Sequence, residues 1–182
     1  MYGEKRIAVV VPAYNEESSV GRVIQRLKKE GWKEIIVVDD GSLDRTSAIA
    51  RAKGATVYRH AVNRGLGGAL GTGIEAALLH GADIIVTFDA DGQHDPRQVK
   101  RIINPIIKGK ADAVIGSRLI NPAGMPWIRR IGNWGFNLIT YALFGIWTTD
   151  SQSGLRAFSR RAALKLEIKS NRMEVSSEII KE

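Results

Sequence analysis

Asp89 and Asp91 stand two residues apart, directly after the apolar run Ile84 to Phe88. Side chains alternate along an extended chain, so both carboxylates face one way if the segment stays extended. Carboxylates held close repel and shift each other's protonation. A divalent cation relieves that conflict. Hard oxygen ligands suit Mg²⁺ or Mn²⁺, ions that commonly share their shell with substrate phosphates. Gln93 and His94 follow closely enough to join or support such a shell. A helix-loop-helix calcium loop needs its glycine at the sixth position and a glutamate at the twelfth. Gly92 does not match that spacing. A phosphoaspartyl phosphatase would carry its paired aspartates after the first strand, not here.

Other polar side chains follow other apolar runs. Ile7 to Val11 leads into Pro12-Ala13-Tyr14-Asn15-Glu16, and Ile35 to Val38 leads into Asp39-Asp40-Gly41-Ser42. Val57-Tyr58 leads into His60 to Gly65, and Ala113 to Ile115 into Gly116-Ser117-Arg118. Runs apolar at every position are what a parallel sheet covered on both faces requires. Helical stretches fall between them, at about 18–29, 44–53, 67–80 and 96–108. Ser18 and Asp44 serve as N-caps, Asp95-Pro96 as a cap with proline in the first turn, and Gly31, Gly54, Gly81 and Gly109 as stops. The alternation of strand and helix predicts an open, doubly wound α/β sheet, mostly parallel. Such sheets bind ligands beyond the carboxyl ends of their strands. Asp39, Asp40, Asp89, Asp91 and Arg118 therefore converge on one rim.

Two glycine patterns carry no cofactor. Gly71-Thr72-Gly73-Ile74-Glu75-Ala76 matches the loose dinucleotide pattern but lies inside a helix, not at a strand-to-helix turn. Gly71 and Gly73 read instead as small residues for packing helix on sheet. No Gly-Lys-Ser/Thr loop for nucleotide triphosphates is present.

The 182 residues, 44% of them hydrophobic, suit one globular domain spanning 1–182. The absence of cysteine excludes disulfides, thiol nucleophiles and cysteine-bound zinc. The first apolar run breaks at Pro12, which does not fit a secretory signal. No run reaches the roughly 18 apolar residues of a membrane span. Residues 1–96 carry 12 basic and 13 acidic side chains, whereas residues 97–182 carry 15 and 6. The basic second half suits an anionic partner.

Taken in order, Pro12-Ala13-Tyr14-Asn15-Glu16, Val38-Asp39-Asp40-Gly41-Ser42, Asn63-Arg64-Gly65-Leu66-Gly67, Asp89-Ala90-Asp91-Gly92-Gln93 and Gly116-Ser117-Arg118 resemble the family 2 inverting glycosyltransferases. Asp150 to Phe158 adds a likeness to the polyprenyl (dolichyl) phosphate sugar synthases, of the dolichol-phosphate mannose synthase type. The resemblance implies a nucleotide-diphospho-sugar transferase (GT-A) fold and transfer of a sugar from a UDP- or GDP-sugar to a polyprenyl phosphate. It places Pro12, Tyr14, Glu16, Val37, Asp39 and Ala90 at the nucleotide. It places Asp89, Asp91 and Gln93 around Mg²⁺ or Mn²⁺ on the diphosphate, and Arg118 at donor or acceptor phosphates. The Gln-x-x-Arg-Trp motif of processive synthases is absent. So is an obvious acidic base motif for a hydroxyl acceptor. A phosphate monoester already carries about −1.5 to −2 charges at pH 7 and is its own nucleophile. Asp150 and Glu178 are candidate acids for the site, with a structural role as the alternative for each.

Met125 to Trp147 holds three of the four tryptophans together with Arg129 and Arg130. Tryptophan and arginine on an amphipathic stretch suit a helix lying in lipid headgroups, with a buried helical hairpin completing the core as the other reading. The expectation is a peripheral protein on the cytoplasmic face of a membrane, with Arg129 and Arg130 drawing in the acceptor phosphate. The chain's end, Ile179 to Glu182, reads as an unfinished helix. A nucleic-acid-binding module would explain the basic half but not an acidic rim, so no nucleic-acid partner is expected. A sugar nucleotidyltransferase would carry a glycine-rich, arginine-containing loop where Pro12 to Glu16 stand.

Overall fold

A computed structural model describes residues 5–116 and 154–166. Their elements run β1 (Ile7–Ala13), α1 (Val20–Lys29), β2 (Glu34–Asp39), α2 (Thr46–Ala52), β3 (Thr56–Arg59), α3 (Gly65–Leu79), β4 (Ile84–Thr87), α4 (Arg97–Ile107), β5 (Ala113–Ile115), β6 (Arg156–Ser159) and α5 (Arg160–Ala163). Six strands form one sheet in the order β3-β2-β1-β4-β6-β5. β1 pairs in parallel with β2 and β4, and β2 with β3. β6 lies antiparallel between β4 and β5. The winding reverses between β1 and β4, and the crevice of a doubly wound sheet opens at such a reversal.

The continuous apolar runs are explained by two cores, one on each face. Val9, Val11, Ile35, Val37 and Val86 pack with Val23, Ile24 and Leu27 of α1, Ala50 of α2 and Ile103 of α4. Ala8, Val10, Ile36, Val38 and Ile85 pack with Leu70, Ile74 and Ala77 of α3. Alternate residues of one strand thus serve opposite layers, so no position can be polar until the strand ends.

The helix stops hold: Gly31, Gly54, Gly81 and Gly109 have φ of +93°, +74°, +78° and +64°, the left-handed turn that releases a helix. The starts differ in detail. Ser19, not Ser18, is the N-cap of α1, and its hydroxyl bonds Glu16 rather than the helix end. α3 begins at Gly65, two residues before the expected start. β6 is the one strand not anticipated. It begins with Arg156, which is buried to 2% exposure, and its four residues make no apolar run.

The packing role of the α3 glycines divides between them. A Cβ on Gly73 would stand inside contact distance of Val10 Cγ1 and 3.2 Å from Val38 Cγ2, so Gly73 sets how closely α3 approaches the sheet. Gly71 has nothing within 4 Å of that position. Gly73→Ala should therefore destabilise the domain by about 1–3 kcal/mol through overpacking. Gly71→Ala should stabilise it by roughly 0.5–1 kcal/mol through helix propensity. Urea unfolding of the two variants beside the parent tests the pair; equal effects would contradict the assignment.

Candidate functional site

A cleft of about 340 Å³ opens over the carboxyl ends of the central strands. Pro12, Ala13, Tyr14 and Glu16 line it from β1 and the loop after it, and Asp40 from the loop after β2. Asn63 lines it from the loop after β3, Gly65, Leu66 and Ala69 from the start of α3, and Asp89, Ala90 and Asp91 from the turn after β4. Pro12, Tyr14, Glu16, Asp89, Ala90 and Asp91 are thus brought together as the sequence suggests.

Asp39 and Val37 are not. Val37 is fully buried in the core under α1. Asp39 follows it by two and so points to the same layer, away from the cleft. Its Oδ1 accepts from Ser42 N at 2.9 Å, its Oδ2 accepts from the Ser47 hydroxyl, and Arg59 Nε lies 3.6 Å away. Asp39 fastens the β2 loop to α2. Asp40, one residue on, turns toward α3 and lines the cleft. The offset of one residue is the alternation of a strand carried into its loop.

The loops after β1 and β2 are bracketed to each other. Asn15 N donates to Ser42 Oγ at 2.9 Å, and Leu43 N donates back to Asn15 Oδ1 at 2.9 Å. Glu16 N donates to Thr46 Oγ1 at 2.8 Å, and Glu17 N to Asp44 Oδ2 at 3.0 Å. Asn15 adopts φ +55°, a left-handed conformation that asparagine tolerates. Burial works to raise the Asp44 pKa, but donation by the Thr46 hydroxyl and by the N–H groups of Thr46 and Glu17 holds it below the ordinary 3.8. This bracket is at full strength above that value and weakens as falling pH protonates Asp44. Gly41, at φ +77°, lets the third loop close in: a Cβ there would come within 2.8 Å of Val62 C and Asn63 N.

At the other end of the cleft, β4 stops at Thr87 and Asp91 sits on a turn. The two carboxylates reach the cleft through that turn rather than along an extended strand. His94 is buried, with its ring 5.7 Å from that of Phe88, and its Nε2 lies 3.1 Å from Asp89 Oδ2. A carboxylate only accepts, so His94 Nε2 carries the proton and supports Asp89 rather than offering a lone pair there. Asp91 is exposed, and its Oδ1 accepts from Gln93 N at 2.9 Å. Gln93 does not line the cleft. Among the described residues, no three His, Cys, Asp or Glu side chains cluster to hold a metal. The Asp89–Asp91 pair thus suits a cation that draws its remaining oxygens from a ligand, the habit of Mg²⁺ and Mn²⁺.

Gly154 is a site residue whose type carries no chemical signal of its own. Thr87 Oγ1 donates to its carbonyl at 2.8 Å, and a Cβ at Gly154 would fall inside the Asp89 carboxylate. Only glycine lets the chain entering β6 pass behind Asp89. Arg118, Arg129, Arg130, Asp150, Glu178 and the stretch 125–147 lie outside the described residues.

The mostly parallel sheet, with its cleft at the switch point and a carboxylate pair on the rim, is of the GT-A glycosyltransferase type, as the comparisons with known proteins bear out. Residues 8–166 match the model of glycosyl transferase family 2, and the chain belongs to that family. It is 56% identical over 179 residues to an uncharacterized protein of Methanocaldococcus jannaschii, covering 96% of this chain and 74% of that one. It is 40% identical over 199 residues to the UDP-N-acetylglucosamine–dolichyl-phosphate N-acetylglucosaminyltransferase of Methanococcus voltae, covering 97% of this chain and 79% of the relative. Among solved structures, it superimposes with a TM-score of 0.78 and 27% identity on glucosyl-3-phosphoglycerate synthase from Mycobacterium tuberculosis in complex with Mn²⁺, UDP-glucose and phosphoglyceric acid. That match covers 97% of this chain and 64% of the synthase.

Gly154→Ala should leave a folded protein whose Asp89 is displaced. Misplacing a reacting group by about 1 Å costs on the order of 100-fold in rate. Sugar-transfer turnover and a thermal melt measured side by side check this; full turnover in a folded Gly154→Ala variant would contradict the role.

Proposed function

We propose that this chain moves a sugar from a nucleoside-diphosphate sugar to the phosphate of a polyprenyl (dolichyl) phosphate, with inversion at the sugar carbon. The observation that carries the reading is the cleft itself, which gathers the Asp89–Asp91 pair after β4, Asp40 after β2 and the apolar side chains of Pro12, Leu66 and Ala69 on one lining. The acceptor class is supported by the 40% identical relative, whose name gives a dolichyl phosphate acceptor.

Pro12, Tyr14 and Glu16 hold the nucleoside, and Asp40 takes the part the sequence gives to Asp39. Asp89 and Asp91 would hold a divalent cation, Mg²⁺ or Mn²⁺, with His94 and Gln93 N fixing the two carboxylates. Such a cation would neutralise charge on the leaving diphosphate. An acceptor phosphate oxygen attacks the sugar carbon from the face opposite the diphosphate. The new C–O bond forms as the bond to the diphosphate breaks, and the nucleoside diphosphate leaves with that electron pair. A single displacement inverts the centre. The acceptor arrives ionised, so no side chain must remove a proton, and the protein's task is positioning and charge. Arg118, Arg129 and Arg130 supply positive charge to the acceptor phosphate. The 125–147 stretch lies on the cytoplasmic face of the membrane, where the polyprenyl tail stays in the bilayer. Among the described residues, no helix is long and apolar enough to cross a membrane.

The test is a panel of UDP- and GDP-sugars with Mn²⁺ or Mg²⁺, offering polyprenyl phosphate and, separately, phosphoglyceric acid. Release of free nucleoside diphosphate with a lipid-linked sugar supports the reading; pyrophosphate would indicate nucleotidyl transfer instead. Asp91→Asn should lower turnover roughly 100- to 1,000-fold, as loss of one charge-stabilising group does elsewhere. Excess chelator should abolish turnover. Unchanged turnover in either case would overturn the metal's role. Changing Arg129 and Arg130 together to Glu should weaken binding to anionic liposomes in a salt-sensitive way. Each basic residue near such a surface contributes about 1 kcal/mol. A folded double variant that co-sediments as the parent does, at low and high salt, would rule out the membrane contact.

A further inference from the structure

Asp40 combines burial with access to the cleft. Its side chain is 5% exposed, yet it lines the cavity. Oδ1 accepts from His60 Nδ1 at 2.7 Å and from Arg64 N at 2.8 Å. Oδ2 accepts from Gly65 N at 2.7 Å. An ionised carboxylate offers about four acceptor positions, two on each oxygen. Oδ1 is therefore full, and Oδ2 retains one position for whatever enters the cleft.

His60 is what fills Oδ1, and it is held to that task. Its Nε2 lies 2.9 Å from Thr72 Oγ1 on α3, and its backbone N donates to Asp39 O at 2.9 Å. Because the carboxylate only accepts, His60 Nδ1 carries the proton. The ring is mostly buried, at 8% side-chain exposure, and does not itself line the cleft.

We propose that His60 sets the base selectivity of the donor site, by leaving Asp40 a single acceptor that takes the one imide N–H of uracil and not the paired N–H donors of guanine. The proposal rests on the reading of the cleft as a nucleotide-sugar site. Asp40 and Asp89 follow β2 and β4, the two neighbours of β1. They are thus separated by about two strand spacings, roughly 9–10 Å. Phosphates drawn to the Asp89–Asp91 end leave the other end of the donor, its base, at Asp40. A second phosphate-bearing group would be repelled there. The same cleft is lined by Pro12, Leu66 and Ala69, apolar surfaces suited to the faces of a flat ring. Guanine's edge carries two adjacent donors and needs one acceptor on each carboxylate oxygen. With Oδ1 occupied, one guanine donor is left buried and unpaired, which costs about tenfold or more in affinity.

The experiment is calorimetric titration of the full chain, with Mn²⁺ present throughout, using UDP, GDP and N3-methyl-UDP. The parent should bind UDP at least about tenfold more tightly than GDP, and N3-methylation should remove that advantage. His60→Ala frees an Oδ1 position, so GDP should gain while UDP changes little, and the ratio should fall toward one. His60→Asn puts an amide N–H where Nδ1 stands and should keep the parental ratio. A merely structural role would lower both affinities together and leave the ratio unchanged, which would overturn the proposal. N3-methyl-UDP binding as tightly as UDP would also overturn it, since Asp40 would then be meeting the ribose. Should His60→Ala fail a melting test, the parent's response to N3-methyl-UDP and the His60→Asn ratio still decide. A parent that prefers GDP sinks the proposal while leaving the nucleotide-sugar reading intact. A parent that binds neither nucleotide sinks both.

Discussion

The rim of the sheet gathers carboxylates at the ends of three adjacent strands, and the site depends on how each one's negative charge is answered. Asp39 is used up by Ser42, Ser47 and Arg59. Asp44 is used up by Thr46 and Glu17 N. Asp40 meets three N–H donors. Asp89 meets His94, and Asp91 meets a single backbone N–H. Charge satisfaction therefore declines from the β2 side of the cleft to the β4 side. Buried charge is tolerable only when its acceptor positions are filled. Asp91, the most exposed of these carboxylates, accepts a single hydrogen bond and keeps acceptor positions open for a cation.

That gradient is built by backbone as much as by side chains. The brackets between the first two loops consume the polar groups of Asn15, Ser42, Asp44 and Thr46, residues whose types suggest chemistry but whose work here is positional. Close approach supplies the rest. Gly41 admits the loop of Val62 and Asn63, and Gly154 admits Asp89. In both places a single methyl group would push a rim element away from the cleft.

Most of the fold was legible because a two-faced parallel sheet leaves an unmistakable sequence pattern, strands apolar at every position and helices stopped by glycine. β1, β2, β4 and β5 stand out in that way, and the edge strand β3 shows only Val57 and Tyr58. β6 does not, because it places Arg156 in a buried strand position and draws its stability from pairing with β4 and β5 rather than from an apolar run. The cleft's acidic end was legible from spacing, since Asp89 and Asp91 had nowhere to go but the rim. The choice between Asp39 and Asp40 was not. It turns on which layer the last strand residue faces, and sequence gives the alternation without its phase at the exit. His60 was illegible for another reason: it touches the cleft only through Asp40, across 20 residues of chain.

The uneven charge of the chain acquires a physical meaning on the proposed reaction. Donor diphosphate and acceptor phosphate must meet at one sugar carbon, and both are anions. An acidic rim alone would repel them, and a basic rim alone would bind them without holding a cation. Residues 1–96, with 12 basic and 13 acidic side chains, supply the rim carboxylates proposed to hold the cation. Residues 97–182, with 15 basic and 6 acidic, carry Arg118, Arg129 and Arg130. On that proposal, a near-neutral first half carrying a cation and a basic second half would each neutralise one anion, and the acceptor would not need to compete for the cation. Binding energy spent on bringing the two anions together is recovered as the leaving diphosphate gains charge against the fixed cation site, which is where stabilisation accelerates the displacement.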